Sequence, residues 1–229
     1  MNRRMWFKMS LKNLILLLLV WANMSAAQTW QNLNPFEQPP GNAILGLDCV
    51  DDECGWAVGE YGFILHTSDG GSTWGQQHPG AADLRLASVD FLDRQNGWVC
   101  GDSGLVLHTT DGGETWHRES TGASQNLCGV CFVSARSGWA VGHAAVTLHT
   151  TNGGDTWEEQ PCPVDRCALL DACFVDSSRG WIVRSSWAVG GGGIILRTTD
   201  GGMTWNEQEG HTYLQFAVEA HGRGSHFET

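Results

Sequence analysis

The stretch 98-WVCGDSGLVLHTTDGGETW-116 decides the fold. Near-copies stand at 56-WAVGEYGFILHTSDGGSTW-74, 139-WAVGHAAVTLHTTNGGDTW-157 and 187-WAVGGGGIILRTTDGGMTW-205, and each sets its two tryptophans 18 residues apart. A period near 42 marks a repeat architecture, in which each unit buries its apolar face against its neighbours. Outward from the quoted copy, Leu86–Phe91 reads as a first strand and Asp93–Gly97 as a turn. Trp98–Gly101 makes a second strand, Leu105–Thr109 a third, and Thr115-Trp116 opens a fourth after an Asp-Gly-Gly hairpin. Short antiparallel strands at this period, four to a unit, predict the blade of an all-β propeller. The expected blades span about 44–78, 86–120, 127–160 and 169–208 within a repeat domain of 28–208.

The hairpin between the third and fourth strands has a local logic. Thr67, Asp69, Gly71, Thr73 and Trp74 recur as Thr109, Asp111, Gly113, Thr115 and Trp116. They recur again as Thr150, Asn152, Gly154, Thr156 and Trp157, and as Thr198, Asp200, Gly202, Thr204 and Trp205. The Asp or Asn side chain bonds turn amides, Gly supplies the positive φ, and the indole packs under the turn and needs a partner for its N–H. This pattern resembles the Asp-box of sialidase-type propellers, and one carboxylate per box argues for a structural use.

The longer phrase, from Gly-Trp-Ala-Val-Gly through Thr-Trp, resembles the repeat of the photosystem II stability/assembly factor family. The likeness covers roughly residues 29–208. It implies a propeller, usually of seven blades, that acts as a non-catalytic, chaperone-like scaffold in photosynthesis and binds proteins.

The ends lie outside the repeat. Arg3, Arg4, Lys8 and Lys12 precede an apolar run, Leu14–Ala22, and Ser25-Ala26-Ala27 supplies small residues. These are the parts of a cleavable signal peptide covering 1–27, with the cut expected after Ala27. The run has nine residues, too few to span a bilayer, which takes about 20. The mature chain is expected to be secreted or periplasmic, not inserted in a membrane. Loss of four positive charges takes the formal net charge from −12 to −16. So acidic a surface disfavours nucleic acid, whose phosphates need Lys and Arg. Thr29-Trp30 resembles the opening of a fourth strand with no blade to host it, whereas residues 209–229 lose the pattern after Tyr213–Val218. These margins predict an incomplete, open ring, either a truncated or frameshifted product with Tyr213–Val218 starting a fifth blade, or one that closes by self-association through its edges; a compact four-bladed ring is the rival.

All eight cysteines follow the signal segment, an even number suited to an oxidising compartment. Cys49 with Cys54, and Cys162 with Cys167, are the expected disulfides, each closing a short loop. Cys128 and Cys131 have C-x-x-C spacing but sit in a predicted strand, where residues three apart face opposite ways. Cys131 and Cys173, at one repeat position, allow a bridge between units.

Candidate sites are few. His66, His108 and His149 recur in the third strand, with Arg197 in the fourth copy. Equivalent positions in neighbouring blades diverge beyond zinc–ligand distances, so they read as structural histidines. The fourth unit carries six extra residues, and Arg179, Trp181 and Arg184 are expected there on a protruding loop, as anchors for a partner. No catalytic, metal or cofactor-binding residue is identified. A protein-binding scaffold is the leading reading. A carbohydrate-binding module, with a polysaccharide as partner, or a sialidase-like glycosidase are the alternatives. The glycosidase reading lacks a tyrosine nucleophile in place, since only Tyr61 and Tyr213 are present.

Overall fold

The computed structural model describes residues 43–81, 83–164, 167–185 and 193–208. These residues form four antiparallel sheets of four strands each. Blade 1 contains β1 (Ile44–Cys49), β2 (Gly55–Gly59), β3 (Ile64–Thr67) and β4 (Gly75–Gln77). Blade 2 contains β5 (Leu86–Phe91), β6 (Gly97–Gly101), β7 (Val106–Thr109) and β8 (His117–Glu119). Blade 3 contains β9 (Leu127–Phe132), β10 (Gly138–Gly142), β11 (Thr147–Thr150) and β12 (Glu158–Glu159). Blade 4 contains β13 (Ala168–Phe174), β14 (Gly180–Ser185), β15 (Ile194–Thr198) and β16 (Asn206–Gln208). In every sheet the strands pair in chain order, a meander. The first strands of successive blades pack side by side, β1 on β5, β5 on β9 and β9 on β13. Together they form an incomplete propeller.

Each second strand is buried along its whole length in blades 1 to 3. Its two glycines explain how. A Cβ on Gly97 would lie 2.4 Å from the Phe91 ring, and one on Gly138 2.5 Å from the Phe132 ring, because that ring lies flat over the glycine. A Cβ on Gly101 would come within 2.1 Å of the carbonyl oxygen of Arg85, the residue that leads into the first strand. Gly-Trp-x-x-Gly is thus a strand whose ends must be bare so that a ring and a backbone can approach.

The turn between second and third strands has left-handed residues: Tyr61 (φ 58°) and Ser103 (φ 56°), each followed by glycine. In blade 3 the pair is Ala144 (φ 56°) and Ala145 (φ 61°). Alanine in this region is strained by roughly 1–2 kcal/mol.

The hairpin box forms as its residues dictate in all four blades. Thr109 Oγ1 donates to Asp111 Oδ1 at 2.7 Å and accepts from the Gly113 amide at 2.9 Å. Asp111 then accepts from the Thr115 amide at 2.9 Å and from its hydroxyl at 2.6 Å. Asn152 keeps the same frame, its amide nitrogen donating to the Thr156 hydroxyl at 2.9 Å. These bonds, led by the Thr115 and Thr204 hydroxyls, hold the Asp111 and Asp200 carboxyls down at about 2.

The box indole departs from expectation. The Nε1 atoms of Trp116, Trp157 and Trp205 are buried with no hydrogen-bond acceptor. It is the second-strand tryptophan that makes the bond.

The fourth unit also has a different register. Trp181, not Trp187, occupies the position of Trp56, Trp98 and Trp139: it pairs with Arg197 as Trp139 pairs with His149. The six extra residues therefore follow β14, and Trp187 lies outside the described residues, as do the segments 1–42 and 209–229 with the predicted signal peptide, Trp30 strand and tail.

Candidate functional site

The joint between two blades is the most elaborate construction in the molecule. Trp56, at the back of blade 1, stacks on its own His66 (4.7 Å between ring centres) and on Phe91 of blade 2 (3.6 Å). Trp116 meets Phe91 edge-on at 6.0 Å. The Trp56 indole N–H then donates to the Gly112 carbonyl in the next blade's hairpin, at 3.1 Å. Trp98 repeats this with His108, Phe132, Trp157 and Gly153; Trp139 repeats it with His149, Phe174, Trp205 and Gly201. Gln77 adds a second donor to the Gly112 carbonyl at 2.8 Å, and Gln160 adds one to Gly201 at 3.1 Å. The edge-to-face pairs with the box indoles add about 0.5–1.5 kcal/mol each beyond burial, and the parallel Trp–Phe stacks bury a whole ring face of each partner.

The recurring histidines are parts of these columns. Burial against the indoles pushes the His66, His108 and His149 imidazoles below the ordinary value, which keeps them neutral. Among the described residues no three metal-ligating side chains converge.

The residues expected on a protruding loop are distributed otherwise. Trp181 and Arg184 lie within strand β14, and only Arg179 is in a turn. Arg179 is engaged by Asp176, with Nε to Oδ2 at 2.7 Å, and this contact holds the Asp176 carboxyl well below the usual range. The Arg184 Nε atom is buried and without an acceptor. Trp181 is half-buried, with the Arg197 guanidinium over its ring at 5.9 Å. The three therefore do not form one exposed anchor, because strand alternation sends neighbours to opposite faces.

The structure holds no disulfide between Cys49 and Cys54 or between Cys162 and Cys167. Cys162 and Cys167 share one apolar cluster, and burial raises the Cys162 thiol. Cys128 and Cys131 part as strand geometry requires: Cys128 opens toward the propeller axis, whereas Cys131 Sγ accepts the Phe174 amide of blade 4 at 3.2 Å.

Sequence reasoning missed the axial cleft. The first strands of all four blades converge on a hollow of about 540 Å³. Leu45 and Leu47, Ala87 and Val89, Val130, and Leu170 line it, but the surface it presents is mostly polar. Arg85, His143 and Asp171 supply the charged and titratable groups. Partial enclosure raises the Asp171 carboxyl above its ordinary value. The cation of Arg85 lies close enough to favour the Cys128 thiolate, though burial dominates and raises that thiol. The signal in the sequence was faint: small residues at Gly46 and Gly129, which let the neighbouring first strand approach closely.

The family described as "Photosynthesis system II assembly factor YCF48" matches residues 22–129 and 120–214. Among curated proteins, none matches the chain. Of solved structures, a YCF48 bound to a D1 peptide is 20% identical over 73% of this chain and 82% of its own, with a TM-score of 0.48. YCF48 from Cyanidioschyzon merolae is 17% identical over 73% of this chain and 85% of its own, with a TM-score of 0.43. The GH74 enzyme of Niastella koreensis is 20% identical over 73% of this chain but 30% of its own, with a TM-score of 0.55. At that identity the GH74 likeness is one of propeller architecture alone. The family match spans most of the sequence, both ends of the repeat included, and on it the chain belongs to the photosynthesis system II assembly factor family of YCF48 type.

Proposed function

We propose that this protein is a non-catalytic scaffold that works outside the cytoplasm, secreted or in the periplasm, and holds a segment of a protein partner during assembly of a larger complex. The observation that carries the proposal is the family match over residues 22–214. We assign the partner's segment to the axial cleft. Its lining joins Leu and Val side chains to a mostly polar surface that includes Arg85, His143 and Asp171, a mixture that suits the side chains and polar backbone of a peptide. A YCF48 structure holds a D1 peptide, and the occupant proposed for this chain is of the same chemical kind, a polypeptide segment.

A photoreactive amino acid placed at Ala87 in the cleft tests this. Irradiation in the native host should give one reproducible protein adduct, absent when the label is at Ser72 on an outer hairpin. Equal adducts at both positions, or hydrolysis of xyloglucan or a sialoside by the purified protein, would overturn it. A second reading, polysaccharide binding, draws on the half-buried Trp181 ring with Arg197 above it. Retention on a polysaccharide column that Trp181→Ala abolishes is its signature.

A further inference from the structure

The joints between blades 1 and 2 and between blades 3 and 4 have a donor that the joint between blades 2 and 3 lacks. Gln77 and Gln160 each stand three residues after a box tryptophan, and Glu119 stands three after Trp116. Gln77 Nε2 donates to the Gly112 carbonyl at 2.8 Å, and Gln160 Nε2 to the Gly201 carbonyl at 3.1 Å. Each shares its oxygen with an indole N–H, that of Trp56 or Trp139. The equivalent Gly153 carbonyl accepts the Trp98 indole at 2.8 Å and nothing from Glu119. A carboxylate has no proton to donate.

The Glu119 side chain is nevertheless in reach. A Cβ on Gly154 would lie 3.4 Å from Glu119 Cγ, and one on Gly113 or Gly202 would meet the carboxamide oxygen of Gln77 or Gln160 at 2.1 or 2.2 Å. The stem of Glu119 thus lies over the hairpin of blade 3. Its Oε1 atom is 3.6 Å from Nδ1 of His108, the histidine stacked on Trp98. The side chain is 16% exposed, so the carboxyl is largely out of water.

We propose that Glu119 is a proton-operated latch on the joint between blades 2 and 3. Protonated, its O–H donates to the Gly153 carbonyl, as Gln77 and Gln160 donate at the joints on either side. Ionised, it loses that bond and repels the carbonyl oxygen.

The surroundings send the proton to Glu119. The titratable and charged groups around it are His108 on β7, His117 and Arg118 on its own strand β8, and Asp155 beside Gly154 in the hairpin of blade 3. His108 is a poor home for the proton. An imidazolium donates from both nitrogens, and His108 Nε2 is buried with no acceptor. Burial first, and then the Asp155 carboxylate, raise the Glu119 carboxyl above its ordinary 4.5, against the opposing effect of His117. A raised group contributes its full stabilisation below the ordinary value and loses it as pH rises through the raised one. The latch therefore closes in mild acid, before the Asp111 and Asp200 boxes loosen. Blades 2 and 3 supply Arg85 and His143 to the axial cleft, so the latch sets how firmly those two walls are joined.

Exchange of the Trp98 indole N–H, corrected for its intrinsic rate, reads this joint. From neutral pH to pH 4.5 its protection should rise about fivefold, the worth of one net hydrogen bond. The Trp56 and Trp139 indoles, whose joints hold glutamine, should keep theirs. Glu119→Gln should give Trp98 the acid level of protection already at neutral pH and abolish the rise. Trp98 protection that is flat or falls in acid, or a rise shared equally by Trp56 and Trp139, would overturn the latch. So would a rise that survives Glu119→Gln, or a variant no better protected at neutral pH than the wild type, since an ion pair with a charged His108 would give that result. The test reads a joint and not the cleft, so its outcome is separate from that of the label at Ala87.

Discussion

Trp98 and Trp181 occupy the same strand position in blades 2 and 4, and their surroundings differ. Trp98 is 0% exposed, clasped between His108 and Phe132, with its N–H on a carbonyl of the following blade. Trp181 has an arginine in place of the histidine and, among the described residues, no following blade. The contrast shows that a blade is half of a structural unit. Its tryptophan carries little of its worth until the next blade supplies the ring and the carbonyl.

The largest predicted effect breaks the contrast directly. Trp98→Ala should cost about 3–5 kcal/mol, the range for a large buried aromatic, in urea unfolding. Trp181→Ala should cost about 1 kcal/mol, as the partner described over its ring is the exposed Arg197. Equal losses would mean that blade 4 is covered as blade 2 is. Next comes the hairpin box. Thr109 is fully buried, and its hydroxyl both donates to Asp111 and accepts from Gly113. Thr109→Val keeps the shape and leaves the Gly113 amide unsatisfied, which costs about 1–3 kcal/mol. Thr67→Val in blade 1 breaks the same two bonds, so a cost as large there would show that boxes act locally and joints do not.

Two smaller effects sharpen the comparison. Ala145→Gly relieves the left-handed strain that blades 1 and 2 avoid with Gly62 and Gly104. The gain should be about 1 kcal/mol, after the added chain freedom of glycine is deducted, seen as a raised midpoint. Acid response comes last. Asp111 and Asp200 have carboxyls lowered to about 2, from an ordinary 3.8. A depressed group contributes its full stabilisation above the ordinary value and loses it as pH falls through the lowered one. The boxes of blades 2 and 4 should therefore loosen between about pH 4 and 2, while Asn152 holds blade 3 unchanged. Asn152→Asp should shift stability at neutral pH by only about 0.5 kcal/mol but give blade 3 the same acid response, read by amide exchange at its hairpin.

The blade was legible because its rules are local. The hairpin box, the bare glycines and the strand alternation all act within some twenty residues, and the four sheets follow them. Trp187 misled because Trp187-Ala-Val-Gly190 copies the motif and the 18-residue spacing at once. The sounder ruler was the seven residues from Phe174 to Trp181, equal to those from Phe91 to Trp98, since the phenylalanine ring must lie on the glycine before the tryptophan. Arg184 misled for a related reason: a charge in a strand can turn inward, and spacing does not reveal which way. The axial cleft was illegible because no motif makes it. Leu47, Ala87, Val130 and Leu170 come from four different blades, and only the folding of all four brings them to one axis.

Amide hydrogen exchange tests the central claim, that each second strand is held by the ring and carbonyl of the blade that follows it. Strands β6 and β10, whose tryptophans are clasped by a following blade, should exchange more slowly than β14, which has none among the described residues. A β14 strand as protected as β6 would contradict it.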